Sequence, residues 1–590
     1  MFIGAMMACF SLIACSPSDN SDNTDNSDVG DTGNTGNIGD TGNVGDTGNT
    51  GNTGDSNNGS VAITFSTGIG AFENGKTSMT LNASADGTVA INDAPVADGY
   101  AFEGWFNGTQ KYSATESYTS PQTFTAKYRS GGDRLVYEAL FDENATVSIE
   151  MNMSHAEWKK LDADKDRYDK SPIYRMADSV TIGIDDGDGM LYYYYEEVGV
   201  RMKGNTSRHH FYDDNGFYDN IHMKLSFKQT FDDIEDGYAQ DELTDWTGRE
   251  DERAIRKART LGGMEKIDIK YNSTKDETYV RELYAMKTFR ENGVVAPNIT
   301  MCNLSALEKD TAMRNLGVYR IHEPIDEVFI ERNLSKLGDT EVGDLWKCTW
   351  GNSDHGADMT MADLEQIVGV EDELNNLFYA YDKKTKKKKG FDSVKNFITA
   401  INGEDVEFEQ YLDIDRFTKM EAVNYILGNP DCIRNNFNNY YLYFRKSDGK
   451  AIIIPYDYDR CLGLTYQWDP TGSAAMFLTP YTRQTATGTA QRNPLYVKLI
   501  DKGAPTDADS ALMKYRANLL DLADSEWMST PIEFNSCKTK YQMRYGKYTS
   551  GAIKTNALEF GATETGNVPV SEYLSTKRNT LLQNIDNYNI

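Results

Sequence analysis

Asp431–Asp459 reads DCIRNNFNNYYLYFRKSDGKAIIIPYDYD, and the layout of this stretch decides the second half of the chain. It follows a helix. Phe417, Met420, Val423 and Leu427 recur at helical spacing, Asp415 stands at the N-cap position, and Gly428 with Pro430 beyond it supplies the stop. Asp431 is then the first acidic group after a rigid element. Two apolar runs follow, Tyr440–Phe444 and Ala451–Pro455, with Asp448-Gly449 between them as a hairpin signal. A turn centred on Asp448-Gly449 sets Tyr440 opposite Asp457, so that Asn439 enters the first strand where Asp457 leaves the second. Asp431 hangs over the same end, and Asp459 is the neighbouring carboxylate. One amide oxygen and two or three carboxylates at a strand end suit a hard cation such as Mg²⁺. An Asp near the acceptor, with an Asn and an Asp on metal, is also the division of labour in phosphoryl transfer. Asn- and Asp-rich loops cap turns and helices as well, but the whole set, with PYDYD leaving an apolar strand, reads as a site.

A chain of 590 residues exceeds one core, so several domains are expected. The net charge of −30 argues against nucleic acid or an anionic membrane surface as a partner through bulk charge. The first fifteen residues, MFIGAMMACFSLIAC, are too short for a permanent membrane helix and read as an export signal. Leu12-Ile13-Ala14-Cys15 resembles a bacterial lipobox, which implies lipidation of Cys15 and anchorage to a membrane without spanning it. The expected address is the bacterial cell envelope, at the cell surface or in the periplasm. Cys302, Cys348, Cys432, Cys461 and Cys537 form no CxxC pair, which argues against zinc; Cys432 and Cys461 flank the hairpin and could bridge.

Residues 16–59 are Asp, Asn, Thr, Gly and Ser with almost nothing to bury, a negatively charged tether. Residues 60–130 read as short strands with glycine turns. Gly99–Phe106 (GYAFEGWF) and Phe124–Tyr128 (FTAKY) resemble the Listeria–Bacteroides repeat, a small β-grasp-like module of bacterial surface proteins. Tyr100, Phe102 and Trp105 would supply most of its core, with Gly104 permitting the turn between them. From about Leu135, VSIEMNMSHAEWKKL, DSVTIGI, YYYYEEVGVRMKGNTS and Ile221–Lys228 (IHMKLSFK) alternate apolar and polar residues as antiparallel strands do. GMEKIDIKY is another strand. A helix from Glu277 follows, with Val280, Leu283, Met286 and Phe289 on one face. Leu316–Asp326 and Leu345–Trp350 are further strands, and the pattern is helical after about Asn493. A strand-rich first part to about residue 350 and a helix-rich remainder predict an α+β enzyme of two lobes. Asp185–Gly189 (DDGDG) reads as a turn.

VGVRMKGNTS, MKLSFK, YVRELYAMKTFRENGVVAP, LGVYRIHEPID, NYILGNPDCIRNNFNNYYLY and IIIPYDYDR occur in that order, and together they resemble the CotH kinase family over residues 136–590. The resemblance implies an atypical, protein-kinase-like fold that uses ATP and Mg²⁺ (or Mn²⁺) to phosphorylate Ser (or Thr) on an exported or surface protein, without the HRD and DFG signatures of ordinary kinases. The family's catalytic aspartates fall on Asp431 and Asp457, and its metal-binding Asn on Asn439, with Asp459 as an alternative metal ligand. Among nucleotide-binding residues it suggests Lys224 as the phosphate lysine, Arg201 and Lys203 at a glycine turn, and either Glu323 or Glu282 as the acidic partner on the strand end or the helix.

Two other readings stand beside it. One is a catalytically silent surface-binding or envelope-assembly protein on the same fold, suggested by the expected export and the tether. The other is a carbohydrate-active protein, from Trp346, Trp350 and Trp468 with paired carboxylates. Binding of ATP separates the kinase from both.

Overall fold

Alternating side chains make a strand with one buried face, and such strands build both the first sheet and the barrel that follows it. A computed structural model describes residues 61–586 apart from 73, 92, 98–99, 168–172, 205–206, 213–218, 235–237, 309, 353–354, 368–379, 386–389, 467–468, 475–482, 485–489, 492, 501–506, 526–527, 529–531 and 550–567. Cys15 and the tether 16–59 lie outside the described residues. The first sheet holds β1 (Ala62–Ser66), β2 (Ser78–Asn82), β3 (Tyr100–Asn107), β4 (Gln110–Lys111) and β5 (Gln122–Ser130), ordered β2-β1-β5-β3-β4 with β1 and β5 parallel. Phe65, Phe102, Trp105 and Phe124 form its core, Phe65 meeting Trp105 edge-on at 5.2 Å. Tyr100 does not join them: it opens β3 at the rim of the sheet and is 45% exposed. Gly104, at φ 136°, makes a bulge rather than a turn, and the extra residue lets Phe102 and Trp105 face the same way.

The barrel section runs α1 (Gly132–Leu140), β6 (Thr146–Asn152), α2 (His155–Arg167), β7 (Arg175–Asp185), β8 (Met190–Lys203), β9 (His222–Ser226), α3 (Glu250–Lys257), β10 (Lys266–Tyr271), α4 (Arg281–Glu291), β11 (Ile299–Glu308) and β12 (Ala312–His322). Seven strands close in the order β10-β12-β11-β6-β7-β8-β9, with β9 pairing back to β10. Every pair is antiparallel except β11 with β6. Ile149, Ile182, Val200, Leu225, Ile269 and Ile321 belong to the apolar cluster that fills it. The first sheet docks on its side: Arg129 of β5 donates to Asp186 at 3.0 Å and pairs with Glu103 at 3.1 Å, while Ala101 enters the barrel's own cluster. Asp185–Gly189 is a turn as read, with Asp186 Oδ1 accepting from the Asp188 amide at 3.1 Å.

α4 starts four residues later than its pattern predicts. The Asp276 carboxylate accepts from the Thr278 and Arg281 amides at 3.0 Å each and pairs with the Arg281 guanidinium, so a capped turn precedes the helix. Its buried face, with Leu283, Met286 and Phe289, belongs to a second core shared with the C-terminal helices.

The chain continues through α5 (Glu327–Leu337), β13 (Asp344–Cys348), β14 (Trp350–Asn352), β15 (His355–Gly356), α6 (Met361–Ile367), β16 (Tyr381–Lys383), α7 (Asp392–Asn402), α8 (Ile414–Leu427), β17 (Tyr440–Phe444), β18 (Ala451–Pro455), α9 (Ala511–Asp524) and two last helices, Ile532–Thr549 and Val570–Asn584. α7, α8, α9 and the last helices build the second core, while Phe329, Ile330 and Leu337 of α5 pack in a separate cluster with Leu345, Tyr443 and Ile454. β16, β13, β17 and β18 form one antiparallel sheet in that order. Most of α8 is buried on every side, as expected of a helix at the centre of a core. Its N-cap is Asp413, whose Oδ1 accepts from the Arg416 amide at 3.1 Å; Asp415 is exposed and pairs with Lys514 at 2.6 Å. The hairpin register also differs from expectation. Tyr440 faces Pro455 and Phe444 faces Ala451, and the Arg445 amide donates to the Lys450 carbonyl at 3.0 Å. Asp448-Gly449 therefore ends a four-residue loop instead of centring a two-residue one, with Gly449 at φ 73°. The described cysteines are buried and unbridged, Cys432 and Cys461 included. Trp346 is a core residue whose Nε1 donates to Ser393 Oγ at 3.0 Å; the Trp350 side chain and Trp468 lie outside the described residues.

Candidate functional site

Gly428 ends α8 at φ 62°, and the chain leaves it into a loop tied together by asparagines. Asn429, fully buried, accepts from the Asp431 amide through Oδ1 at 3.2 Å. Its Nδ2 lies 3.3 Å from both the Asp431 and the Asp457 carbonyls, so one side chain clasps the two acid-bearing segments. Asn439 Nδ2 donates to the Asp431 carbonyl at 3.0 Å, and the Asn439 carbonyl accepts from the Tyr456 amide at 3.1 Å. Asn436 Nδ2 donates to Asp431 Oδ1 at 2.5 Å. Asp431, Asn439 and Asp457 are thus brought together at the open end of the hairpin, although not in the register first expected. Asn439 and Asp457 both sit in the left-handed region, at φ 55° and 61°, and Phe437 between them and the helix does too, at 57°. Three such non-glycine residues in one place mark a backbone held by its surroundings. The anchor is Arg434, whose guanidinium pairs with Glu421 of α8. Both are buried, and Glu421 also accepts from Tyr496 at 2.6 Å and Asn424 at 2.9 Å.

The barrel supplies the other wall. Arg201 and Lys203, His222 and Lys224, Asp268 and Lys270, and Arg320 and His322 alternate with interior residues on β8, β9, β10 and β12, so they project outward. Arg201 lies opposite Lys224, Lys224 opposite Asp268, and Asp268 opposite His322. Asp268 takes Lys203 as an ion-pair partner, with Lys224 3.9 Å away. Lys270 reaches across to the hairpin end: its Nζ is 2.6 Å from Asp457 Oδ1 and 3.7 Å from Glu282 Oε1 on α4. Glu282, fully buried, also faces Arg320 at 3.4 Å and His322 at 3.5 Å. The Tyr456 ring lies beneath Lys270, Lys347 and Lys203 at 5.2, 5.1 and 5.8 Å.

Charge follows from this packing. Burial works against the Lys270 ammonium, but Asp457 and Glu282 outweigh it and hold its pKa well above the usual value. Burial would raise Asp457; Lys270 overrides it and keeps that carboxyl at about 2. Asp459 is pushed up to about 8, by burial and then by the charges of Asp457 and Glu282. His222 and His322 are driven well below the ordinary imidazole range by burial and by Lys270 and Arg320.

The donor set fits the groups the family resemblance implies. Asp457, Asp459 and the Asn439 amide offer oxygen alone, and the repulsion that raises Asp459 is what a divalent cation relieves. Among the described residues no three or more His, Cys, Asp or Glu side chains gather for a metal. Mg²⁺ at phosphoryl-transfer sites takes one or two carboxylates and completes its shell from waters and phosphate oxygens. Arg320 Nε and Nη2 are buried without a hydrogen-bond partner among the described residues, beside the lysines, as an anion site requires.

Of the residues singled out from sequence, Arg201, Lys203, Lys224, Glu282, Asp431, Asn439, Asp457 and Asp459 converge here. Glu323 does not. Its carboxylate accepts from the Tyr137 hydroxyl at 2.8 Å and the Asn298 amide at 3.0 Å and pairs with Arg332 at 2.6 Å, fastening α1 and α5 to the end of the barrel. Between the two candidate acidic partners, geometry selects Glu282. The lysine that meets it is Lys270 rather than Lys224. The signal was the alternation of IDIKY, which puts Asp268 and Lys270 on one face, but Lys224 in MKLSFK has the same parity. Asn429 and Arg320 were also missed, because nothing local separates a clasping Asn, or an Arg with buried and unpartnered nitrogens, from its neighbours. A family model described as CotH kinase protein matches residues 201–514, a span that contains every residue of this site. No curated protein matches the chain.

Proposed function

The chain belongs to the CotH kinase family, and from that premise we propose that it is an exported, lipid-anchored kinase of the bacterial envelope. It would transfer the γ-phosphate of ATP to Ser or Thr hydroxyls of an exported protein, using Mg²⁺ or Mn²⁺. The observation that carries this reading is the meeting of a strand lysine, a helix glutamate and a post-strand aspartate: Lys270, Glu282 and Asp457, within 3.7 Å of one ammonium. A kinase uses that set to hold phosphates and metal. The arrangement of barrel, α4 and α8-centred core supports a two-lobed, kinase-like architecture. The five-stranded sheet supports a β-grasp-like spacer ahead of it.

The bound metal–nucleotide would supply the phosphoryl donor and most of the positive charge near the transferred group. The chain's residues do the rest. Lys270, with Arg320, Lys203 and Lys224 beside it, holds phosphate oxygens, and Glu282 keeps Lys270 extended toward them. Asp457, Asn439 and Asp459 are the residues that would hold the cation. Asp431, half-buried and oriented by Asn436, accepts the proton of the acceptor hydroxyl. The decisive experiment is thermal stability of the purified protein with ATP, with Mg²⁺ or Mn²⁺, and with both, alongside Asp457→Ala. The expected result is a stabilisation that needs both ligands and is absent in the variant. No shift at millimolar ligand would leave the fold as a catalytically silent surface-binding module.

A further inference from the structure

Lys270 and Asp457 carry opposite charges that the proposed reaction would use on different partners, yet here they are paired with each other at 2.6 Å. Resting on the kinase reading above, we infer that Lys270 closes Asp457 to divalent cations until the phosphates of a nucleotide draw the lysine away. The ammonium lies nearer to Asp457 than to Glu282, by 2.6 against 3.7 Å, so in this structure its first partner is the carboxylate expected to bind metal. It has little freedom to leave on its own. Lys270 is buried, Tyr456 covers it at 5.2 Å, and Arg320 and His322 already occupy the far side of Glu282.

A divalent cation placed on Asp457 would stand within a few ångströms of that ammonium, and in a partly buried setting the repulsion is far stronger than in water. A polyphosphate removes the conflict, because its oxygens replace Asp457 as the lysine's counter-charge. The anion takes Lys270 and the cation takes Asp457, in one exchange of partners. Metal and nucleotide are then strongly coupled, each raising the affinity of the other by the same factor. Free divalent cations alone do not fill the site.

The test is Mn²⁺ binding to the full chain without nucleotide, read from the electron paramagnetic resonance signal of free Mn²⁺. It compares the wild type with Lys270→Met, Lys270→Gln and the double variant Lys270→Met/Asp457→Asn. Arg320 still neutralises Glu282 in all of them, and two replacements of different polarity protect against one failing to fold. Each single variant is expected to bind Mn²⁺ about tenfold more tightly than the wild type, and the double variant to lose that gain. If neither Lys270 variant gains affinity while the wild type is still stabilised by ATP and Mn²⁺ together, the inference is overturned and the kinase reading survives. If the wild type responds to no combination of the two, the kinase reading itself fails.

Discussion

On the α8 side of the site, Asp431 and Asn439 are held by neutral amides, those of Asn429, Asn436 and the backbone. On the barrel side, Lys203, Lys224, Lys270 and Arg320 are held by carboxylates. The difference matters because the two kinds of contact answer differently to a ligand. A neutral hydrogen bond contributes about 1 kcal/mol net and is satisfied in one geometry only. An ion pair is satisfied by any suitably placed counter-charge, so an arriving phosphate can take a carboxylate's place. On the proposed kinase reading, the acceptor side is therefore set in advance and the donor side is built to change partners.

The largest effect should come from separating the two sides chemically. Asp431→Asn is expected to reduce ATP turnover by about a hundredfold to ten-thousandfold while preserving stabilisation by ATP with Mg²⁺, since the barrel residues are untouched. Loss of that stabilisation as well, in thermal shift measurements, would mean that Asp431 belongs to the donor side. Next, Glu421→Gln removes the buried partner of Arg434 and should cost about 3–5 kcal/mol of stability in urea unfolding. A cost below 1 kcal/mol would show that the Asp431 loop does not depend on that anchor. Asn429→Ala should cost about 1–3 kcal/mol. It should lower kcat more than it raises KM for ATP, because it releases the clasp between the Asp431 and Asp457 backbones without altering a lysine. The smallest effect concerns the buried cysteines. Burial pushes the Cys432 and Cys537 thiols up to about 12, so a thiol reagent at pH 8 should leave both unmodified until denaturant is added.

Much of this contrast was legible in the sequence, and unevenly. The hairpin and the grouping of Asp431, Asn439 and Asp457 came from turn chemistry, which is local. The register did not, because Asp448-Gly449 fits the end of a four-residue loop as well as the middle of a two-residue one. The same ambiguity moved the α8 cap from Asp415 to Asp413: two aspartates two residues apart can both begin a helix, and tertiary packing chooses. That Lys270 rather than Lys224 meets Glu282 has a longer-range reason. Lys224 and Lys270 have the same strand parity, and only barrel closure decides which of them reaches α4 and the hairpin end. Glu323 looked like a site residue because it ends a strand. Its role is set by Tyr137, far away in the sequence.

The single parallel pairing in the barrel, Asn303 with Ser148 through Ala306 with Met151, bears on how the protein is made. Those strands are separated by roughly a third of the described chain, so the ring stays open until β12 has been synthesised. Until β11 is in place, β6 presents an unpaired edge and an apolar face. High sequence separation of this kind slows folding toward the millisecond-to-second range. The barrel, and with it the lysine wall, is thus expected to form late, after the first sheet has already closed on its own residues.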